Sequence, residues 1–87
     1  MNLKAQAHHL KPIILVGKNG ITENLIQEID VALLAHELIK IKFQEVAVKF
    51  MDQNPEEWLA QLKATLVDTK GHVMTLHRKN LKKKKKV

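Results

Sequence analysis

A short loop with two glycines stands between a strand-like run, Ile13–Val16, and a helix-like pattern; its residues are Gly17, Lys18, Asn19 and Gly20. Glycine lets the backbone turn tightly and lets another backbone approach, because no β-carbon intervenes. The unpaired N–H groups and the dipole at the start of the following helix favour an anion such as phosphate. Lys18 adds positive charge, and Asn19 can donate through its amide. On these residues alone, a plain tight turn and a phosphate-binding loop both remain open interpretations.

The loop differs from the glycine-rich loops that bind nucleotides. It is too short for a P-loop, lacks the Lys-Ser/Thr ending, and has no third glycine for a dinucleotide fingerprint. A G-x-x-G loop between a strand and a helix instead resembles that of KH domains, where it clamps the backbone of single-stranded nucleic acid. We therefore expect neither a nucleotide cofactor nor a small-molecule substrate.

Basic residues concentrate at the two ends of the chain and around the loop. The formal net charge is +6, yet Lys82–Lys86 supply five of the fifteen basic residues, and the rest of the chain is nearly neutral. The first twenty residues hold Lys4, Lys11 and Lys18 and no acid. This balance favours a polyanion, either nucleic acid or an anionic membrane surface. A membrane anchor needs an acyl chain or an amphipathic helix beside the charge, and neither is evident, so RNA is the favoured partner.

Length and composition predict one small domain over residues 1–80 and a disordered lysine-rich tail over residues 81–87. The chain has no cysteine, which fits a reducing compartment, and it shows neither a signal-peptide core nor a membrane-spanning run. We expect a soluble cytoplasmic protein.

Hydrophobic periodicity predicts the elements that position the loop. A helix is expected over residues 2–10 and should end before Pro12, since the residue before a proline leaves the helical region. Ile13–Val16 is apolar on both faces and predicts an interior strand. The next helix should begin at an N-cap, Thr22, and close near His36.

The spacing of the apolar residues changes in the middle of the chain. Leu38–Phe43 alternates and predicts a half-buried strand whose open face carries Lys40 and Lys42. The apolar positions then shift by one over Val46–Phe50, which predicts a bulge or turn near Gln44–Glu45 if the strand continues.

The last third predicts a helix, a turn and a strand. Asn54–Glu57 combines an N-cap, a proline and two acids, which is typical of a helix start. The predicted buried side of this helix consists of Trp58, Leu59 and Leu62, with Leu66 left open, and the helix is expected to end between Lys63 and Val67. Asp68–Gly71 predicts a turn, with a short extra strand before it left open, and Val73–His77 a closing strand. The order α-β-α-β-α-β predicts an α/β (α+β) fold with a mixed sheet.

Three stretches together resemble one known family. They are LKAQAHHLKPIILVGKNGITENLIQEID (residues 3–30), HELIKIKF (36–43) and, more faintly, GHVMTLHRKN (71–80). Their order and spacing resemble the CRM (chloroplast RNA splicing and ribosome maturation) domain, in particular its bacterial single-domain members. The resemblance nearly vanishes over residues 44–70, where the family usually shows a longer third helix and a valine-rich strand.

The resemblance implies a fold similar to the C-terminal domain of bacterial translation initiation factor three. It also implies RNA binding through the GxxG loop and the basic surface beside it, and association of bacterial members with precursors of the large ribosomal subunit. Carried over to this sequence, the loop is Gly17, Lys18, Asn19 and Gly20. The other candidate RNA contacts are Lys4, His8, Lys11, Lys40, Lys42, Arg78, Lys82, Lys83, Lys84, Lys85 and Lys86.

Neither a metal site nor an enzymatic centre is expected. Adjacent helical residues such as His8 and His9 point about 100° apart, and no carboxylate or cysteine lies at ligand spacing. The chain lacks serine and cysteine nucleophiles, and Glu56–Glu57 already serves a helix start. The aromatic residues fall in apolar patterns, which predicts core packing rather than a base-stacking surface. The competing hypothesis is a protein-interaction adaptor with a tail that only solubilises it.

Overall fold

A four-stranded mixed sheet forms the centre of the protein, in a computed structural model that describes residues 3–53 and 55–79. Its strands are β1 (Ile14–Val16), β2 (Leu38–Phe43), β3 (Thr65–Lys70) and β4 (Val73–His77). Their spatial order is β1-β2-β4-β3, with β1 parallel to β2 and the other neighbours antiparallel. The predicted α+β class with a mixed sheet is confirmed.

The helical segments are α1 (Leu3–Ala7), α2 (Glu23–His36), a 3₁₀ helix (Glu45–Asp52) and α3 (Pro55–Leu62). The predicted N-cap of α2 is correct, because the Thr22 hydroxyl oxygen accepts a hydrogen bond from the Leu25 N–H at 3.1 Å. None of the helices in the described ranges is both long enough and apolar enough to cross a bilayer.

The main core lies against one face of the sheet. Ile39, Ile41 and Phe43 alternate along β2 and are buried there, while Lys40 and Lys42 point to the opposite face. The core also takes buried side chains from the neighbouring strands and helices, among them Val16, Leu25, Ile29, Leu33, Trp58, Leu59, Leu62, Met74 and Leu76. The opposite face is covered only in part, by α1 through its buried Ala7. Lysines therefore lie on the more open face.

β1 is an edge strand, so the prediction of an interior strand is wrong. It pairs with β2 and has no second neighbour among the described strands. Ile14 and Val16 face the core, whereas Leu15 points to the other face and is 56% exposed. A short apolar run resembles a strand buried on both faces, yet here only alternate side chains are covered.

The chain does not continue as a strand past β2, because the 3₁₀ helix follows it directly. Ala47 and Phe50 are three residues apart and lie on one side of that helix, which has about three residues per turn. Ala47 is buried and Phe50 packs against the core. No bulge forms at Gln44–Glu45, because the chain leaves the sheet there.

The turn predicted at Asp68–Gly71 is displaced. β3 continues to Lys70 and the chain reverses at Gly71–His72, where Gly71 adopts a φ of 60° that suits glycine. The extra strand that the sequence left open is therefore β3.

Two of the predicted helices are shorter than expected. α1 ends at Ala7 instead of Leu10, so His8 and Lys11 lie beyond the helix. α3 ends at Leu62, and Leu66 lies on β3, where it is 38% exposed, instead of on the buried side of the helix. The predicted N-cap of α3, Asn54, lies outside the described residues.

Candidate nucleic-acid interface

The GxxG loop is a closed turn between β1 and α2. The Gly20 N–H donates to the Gly17 carbonyl at 2.9 Å, which leaves Lys18 and Asn19 exposed at the tip. Gly20 has a φ of 70°, in the left-handed region that favours glycine. The loop therefore exposes the Lys18 ammonium and the Asn19 amide to solvent. The left-handed conformation at Gly20 makes this tight turn possible.

An aromatic ring packs directly under the loop. A β-carbon added at Gly20 would lie 2.8 Å from three ring atoms of Phe50, which shows how closely the ring approaches this backbone. Lys49 of the same 3₁₀ helix places its ammonium 5.4 Å from the centre of that ring. The apolar pattern predicts core packing for Phe50 but not this support for the loop. The three-residue spacing between Ala47 and Phe50 is the signal that could have indicated it.

A hollow of about 530 Å³ opens between the loop and the first turns of α2. Its walls include the loop itself, Thr22, Asn24 and Gln44. The N-terminal turn of a helix carries partial positive charge and spare N–H donors, so an anion is favoured here. Glu28 also lines the hollow and would repel an anion, so the part that suits a phosphate is the part beside Lys18.

Two predicted lysines flank a shallow hollow near β1. Lys11 and Lys42 line it together with Ile13 and Leu15. Lys42 of β2 pairs with Leu15 of β1. The next residue of β2, Phe43, pairs with Val16, the last residue of β1. The structure therefore places Lys42 on the strand neighbouring the one that leads into the loop.

His8 and Lys40 both line a cleft between α1 and the open face of the sheet. Lys70 of β3 lines the same cleft. Lys70 is not among the predicted RNA contacts, because its sequence pattern indicates a turn rather than a strand. His8, Lys11, Lys40 and Lys42 are thus brought to one side of the sheet, with Lys70 added.

Arg78 lies apart from these residues. Its guanidinium donates to the Asp30 carboxylate at 2.6 Å and to the Leu62 carbonyl at 2.9 Å, and its side chain is 14% exposed. The Arg78 N–H bonds the Glu37 carbonyl, just before the start of β2, whereas the loop adjoins the other end of that strand. The contacts of Arg78 join α2, α3 and the end of β4, so they give it a structural role.

Some of the predicted contacts cannot be placed. The side chain of Lys4 and the lysines Lys82–Lys86 lie outside the described residues, and they stay predictions.

Within the described part of the chain, no group of three or more His, Asp or Glu side chains is close enough to hold a metal ion. The rings of His8 and His9 meet edge to face at 5.6 Å.

Comparison with known proteins gives consistent matches. The sequence model of the CRS1/YhbY (CRM) domain matches residues 1–78. A Haemophilus influenzae protein named as an RNA-binding protein is 40% identical over 76 residues, which cover 87% of this chain and 77% of the relative. A Pseudomonas aeruginosa protein named as a probable RNA-binding protein is 38% identical over 82 residues, covering 94% and 79%.

A solved structure has the same fold. The solution structure of a Staphylococcus aureus protein, named as a candidate RNA-binding protein, matches with a TM-score of 0.67 and 33% identity. The match covers 90% of this chain and 81% of that one.

Proposed function

The chain belongs to the CRS1/YhbY (CRM) domain family, and from this premise we propose that it is a non-enzymatic RNA-binding protein. The observation that carries the proposal is the GxxG loop, held by Phe50 at the end of β1, next to a strand whose open face carries lysines. The names of its relatives support RNA as the ligand.

In this proposal the loop acts as a clamp on the RNA backbone. A phosphate sits beside Lys18, where backbone N–H groups and the first turn of α2 donate to it. Asn19 can donate to a phosphate or a ribose hydroxyl. Because Phe50 packs under Gly20, the loop keeps its shape without RNA, and binding then costs less ordering entropy.

From the clamp, the RNA backbone is expected to pass over the open face of the sheet. Lys11 and Lys42 come first, next to β1, and the cleft with His8 and Lys40 follows toward α1. Such contacts fix the position of the RNA and make binding salt-dependent, since each neutralised phosphate releases counterions. The tail Lys82–Lys86 is proposed to add sequence-independent contacts to phosphates.

We propose ribosomal RNA, within precursors of the large ribosomal subunit, as the RNA bound in the cell. The support is family membership together with the resemblance set out from the sequence. Sedimentation of cell extracts through a sucrose gradient tests it, because the tagged protein should move with large-subunit precursors. Recovery of the protein only at the top of the gradient would contradict this assignment.

The clamp is tested by replacing Lys18 and Asn19 with aspartate. Both are exposed, so the melting temperature should stay unchanged. Repulsion and the lost lysine contact should weaken RNA binding by about 2–4 kcal/mol, given roughly 1.5–3 kcal/mol for a charge-assisted hydrogen bond.

A matched control makes the same change in charge elsewhere. Lys63→Asp with Gln61→Glu alters exposed residues at the end of α3, beside the Leu62 carbonyl that Arg78 contacts and remote from the loop. Its effect on affinity should be small, because screening limits long-range attraction to about 10 Å. If both double variants weaken binding equally, net charge rather than the loop determines affinity.

The adaptor hypothesis rests on one observation of its own. The surface where α2 meets β1 exposes apolar side chains, among them Ile13 and Val31. An adaptor would bind a protein through such a surface and show little affinity for RNA at any salt concentration. Filter binding to structured RNA therefore separates the two functions.

A further inference from the structure

A bulge in β3 directs an acidic side chain into the cleft under α1. The register of β3 against β4 shifts at Val67, and Asp68 then lies opposite Thr75. On the other side of β4, Lys40 of β2 also pairs with Thr75. Lys40, Thr75 and Asp68 thus form one row across the sheet, and all three line the cleft. Bulges commonly re-aim a side chain beside a functional site.

The cleft combines polar groups of different kinds on an apolar frame. The volume of the cleft is about 270 Å³. One water occupies ~30 Å³ in the liquid, so the cleft has the volume of several waters and has room for one planar base. Ala7, Pro12 and Val73 supply apolar walls, and Lys70 adds a second ammonium group. Thr75, only 4% exposed, forms part of the floor.

Its charges do not suit a phosphate alone. The Asp68 carboxylate offsets part of the attraction that the two ammonium groups exert on a phosphate, and it accepts hydrogen bonds from N–H donors, which a phosphate does not offer. Asp68 already has a polar contact within the protein, but a carboxylate can accept about four hydrogen bonds and so has capacity for a ligand as well. The ligand must therefore offer N–H donors together with acceptors for the lysines.

We propose that this cleft, called the base cleft from here on, binds one unpaired guanine of the RNA. This inference rests on the proposed function. Guanine presents two adjacent donors, N1–H and the N2 amino group, which a carboxylate can accept together. Its O6 and N7 acceptors suit Lys40 or Lys70. Adenine lacks the N1–H donor, and uracil would turn carbonyl oxygens toward Asp68. Single-stranded bases are recognised on these edges.

Titration of the full chain with mononucleotides tests the base cleft directly. Backbone amide resonances of Ala7, Val73 and Thr75 should shift with guanosine monophosphate and move much less with the adenosine or uridine analogues. Inorganic phosphate is the matched probe for a plain anion site. Equal shifts with phosphate alone, equal shifts with all three nucleotides, or no shift with any of them would overturn the proposal.

A second measurement uses RNA of about ten nucleotides, polyuridine with one central guanosine or inosine. Inosine lacks the N2 amino group, so the parent should bind it about five- to tenfold more weakly, as expected for part of a base contact. Asp68→Asn should lose this preference while binding the inosine RNA about as well as the parent does. A thermal melt checks that the variant is folded.

The outcomes separate the two proposals. If the parent binds none of these RNAs and no structured RNA, the proposed function fails. If the parent binds RNA but does not distinguish guanosine from inosine, or if Asp68→Asn keeps the preference, only the base cleft is overturned and Asp68 serves the packing of α1 and β3.

Discussion

Alanine substitutions at the three glycines should separate backbone strain from crowding. Gly20 has a φ of 70° and a close aromatic neighbour, because an added β-carbon would lie 2.8 Å from the Phe50 ring. Gly71 has a φ of 60°, but an added β-carbon would meet nothing within 4 Å. Gly17 shows no left-handed φ, and its nearest contact would be the Gln44 side-chain oxygen at 3.2 Å. Gly71 is thus the control for strain alone.

The expected losses follow from these environments. A left-handed φ costs a non-glycine residue about 1–2 kcal/mol, and forced overpacking adds about 1–3 kcal/mol. Gly71→Ala should therefore cost about 1–2 kcal/mol and Gly20→Ala about 2–5 kcal/mol. Gly17→Ala should stay within about 0.5 kcal/mol of the parent, because the end of the Gln44 side chain can move and alanine restricts the unfolded chain.

Thermal and urea unfolding followed by circular dichroism measure these differences. For a domain of this size, about 1 kcal/mol corresponds to roughly 4–8 °C in melting temperature. Adding Phe50→Leu to Gly20→Ala removes the distal ring carbons that crowd the new methyl group, so the two changes should couple by about 1–3 kcal/mol. Crowding by the Phe50 ring is excluded as a separate cost if Gly20→Ala lowers stability no more than Gly71→Ala does, or if Phe50→Leu recovers none of the excess.

Three further outcomes are expected. Arg78→Gln should lower stability by about 1–3 kcal/mol, because it removes charged hydrogen bonds to the partly exposed Asp30 and to the Leu62 carbonyl; weaker RNA binding with an unchanged melt would instead identify Arg78 as an RNA contact. If about six phosphates are neutralised, log affinity should fall with log salt at a slope of about −4, at roughly −0.7 per phosphate; a flat salt dependence would contradict the electrostatic part of the proposal. Removing Lys82–Val87 should weaken binding to all RNAs about equally; loss of discrimination between RNAs would make the tail the specific reader.

Local sequence determined those elements whose burial follows a regular period. Thr22 caps α2 as predicted, since a cap depends on residues three positions apart. Leu38–Phe43 forms the predicted strand with its lysines on the open face. The same holds for the position of the GxxG loop, which needs only an apolar run, two glycines and a helix start in order.

The strand order, the 3₁₀ helix and the bulge in β3 depend on long-range contacts, which the spacing of apolar residues does not predict. The apolar run of β1 shows which side chains are hydrophobic but not which of them are covered or which strands are neighbours. It predicts an interior strand, whereas β1 lies at the edge of the described sheet. In the 3₁₀ helix, Ala47 is buried in the core and Phe50 packs against it, and these contacts favour the helix over a continued strand. The bulge at Val67 is defined only by the pairing of β3 with β4, and it brings Asp68 opposite Thr75.

Some residues of the candidate interface can be identified from the sequence, and others only from the tertiary structure. The residues at the tip of the loop can be identified from the sequence, because their chemistry and the spacing of the two glycines are local properties. Only the tertiary structure placed Phe50 under Gly20 and Lys70 beside Lys40, and only it joined Arg78 to Asp30. Each of these pairs is distant in sequence, and contact between them depends on how the strands and helices pack, which no short-range pattern contains.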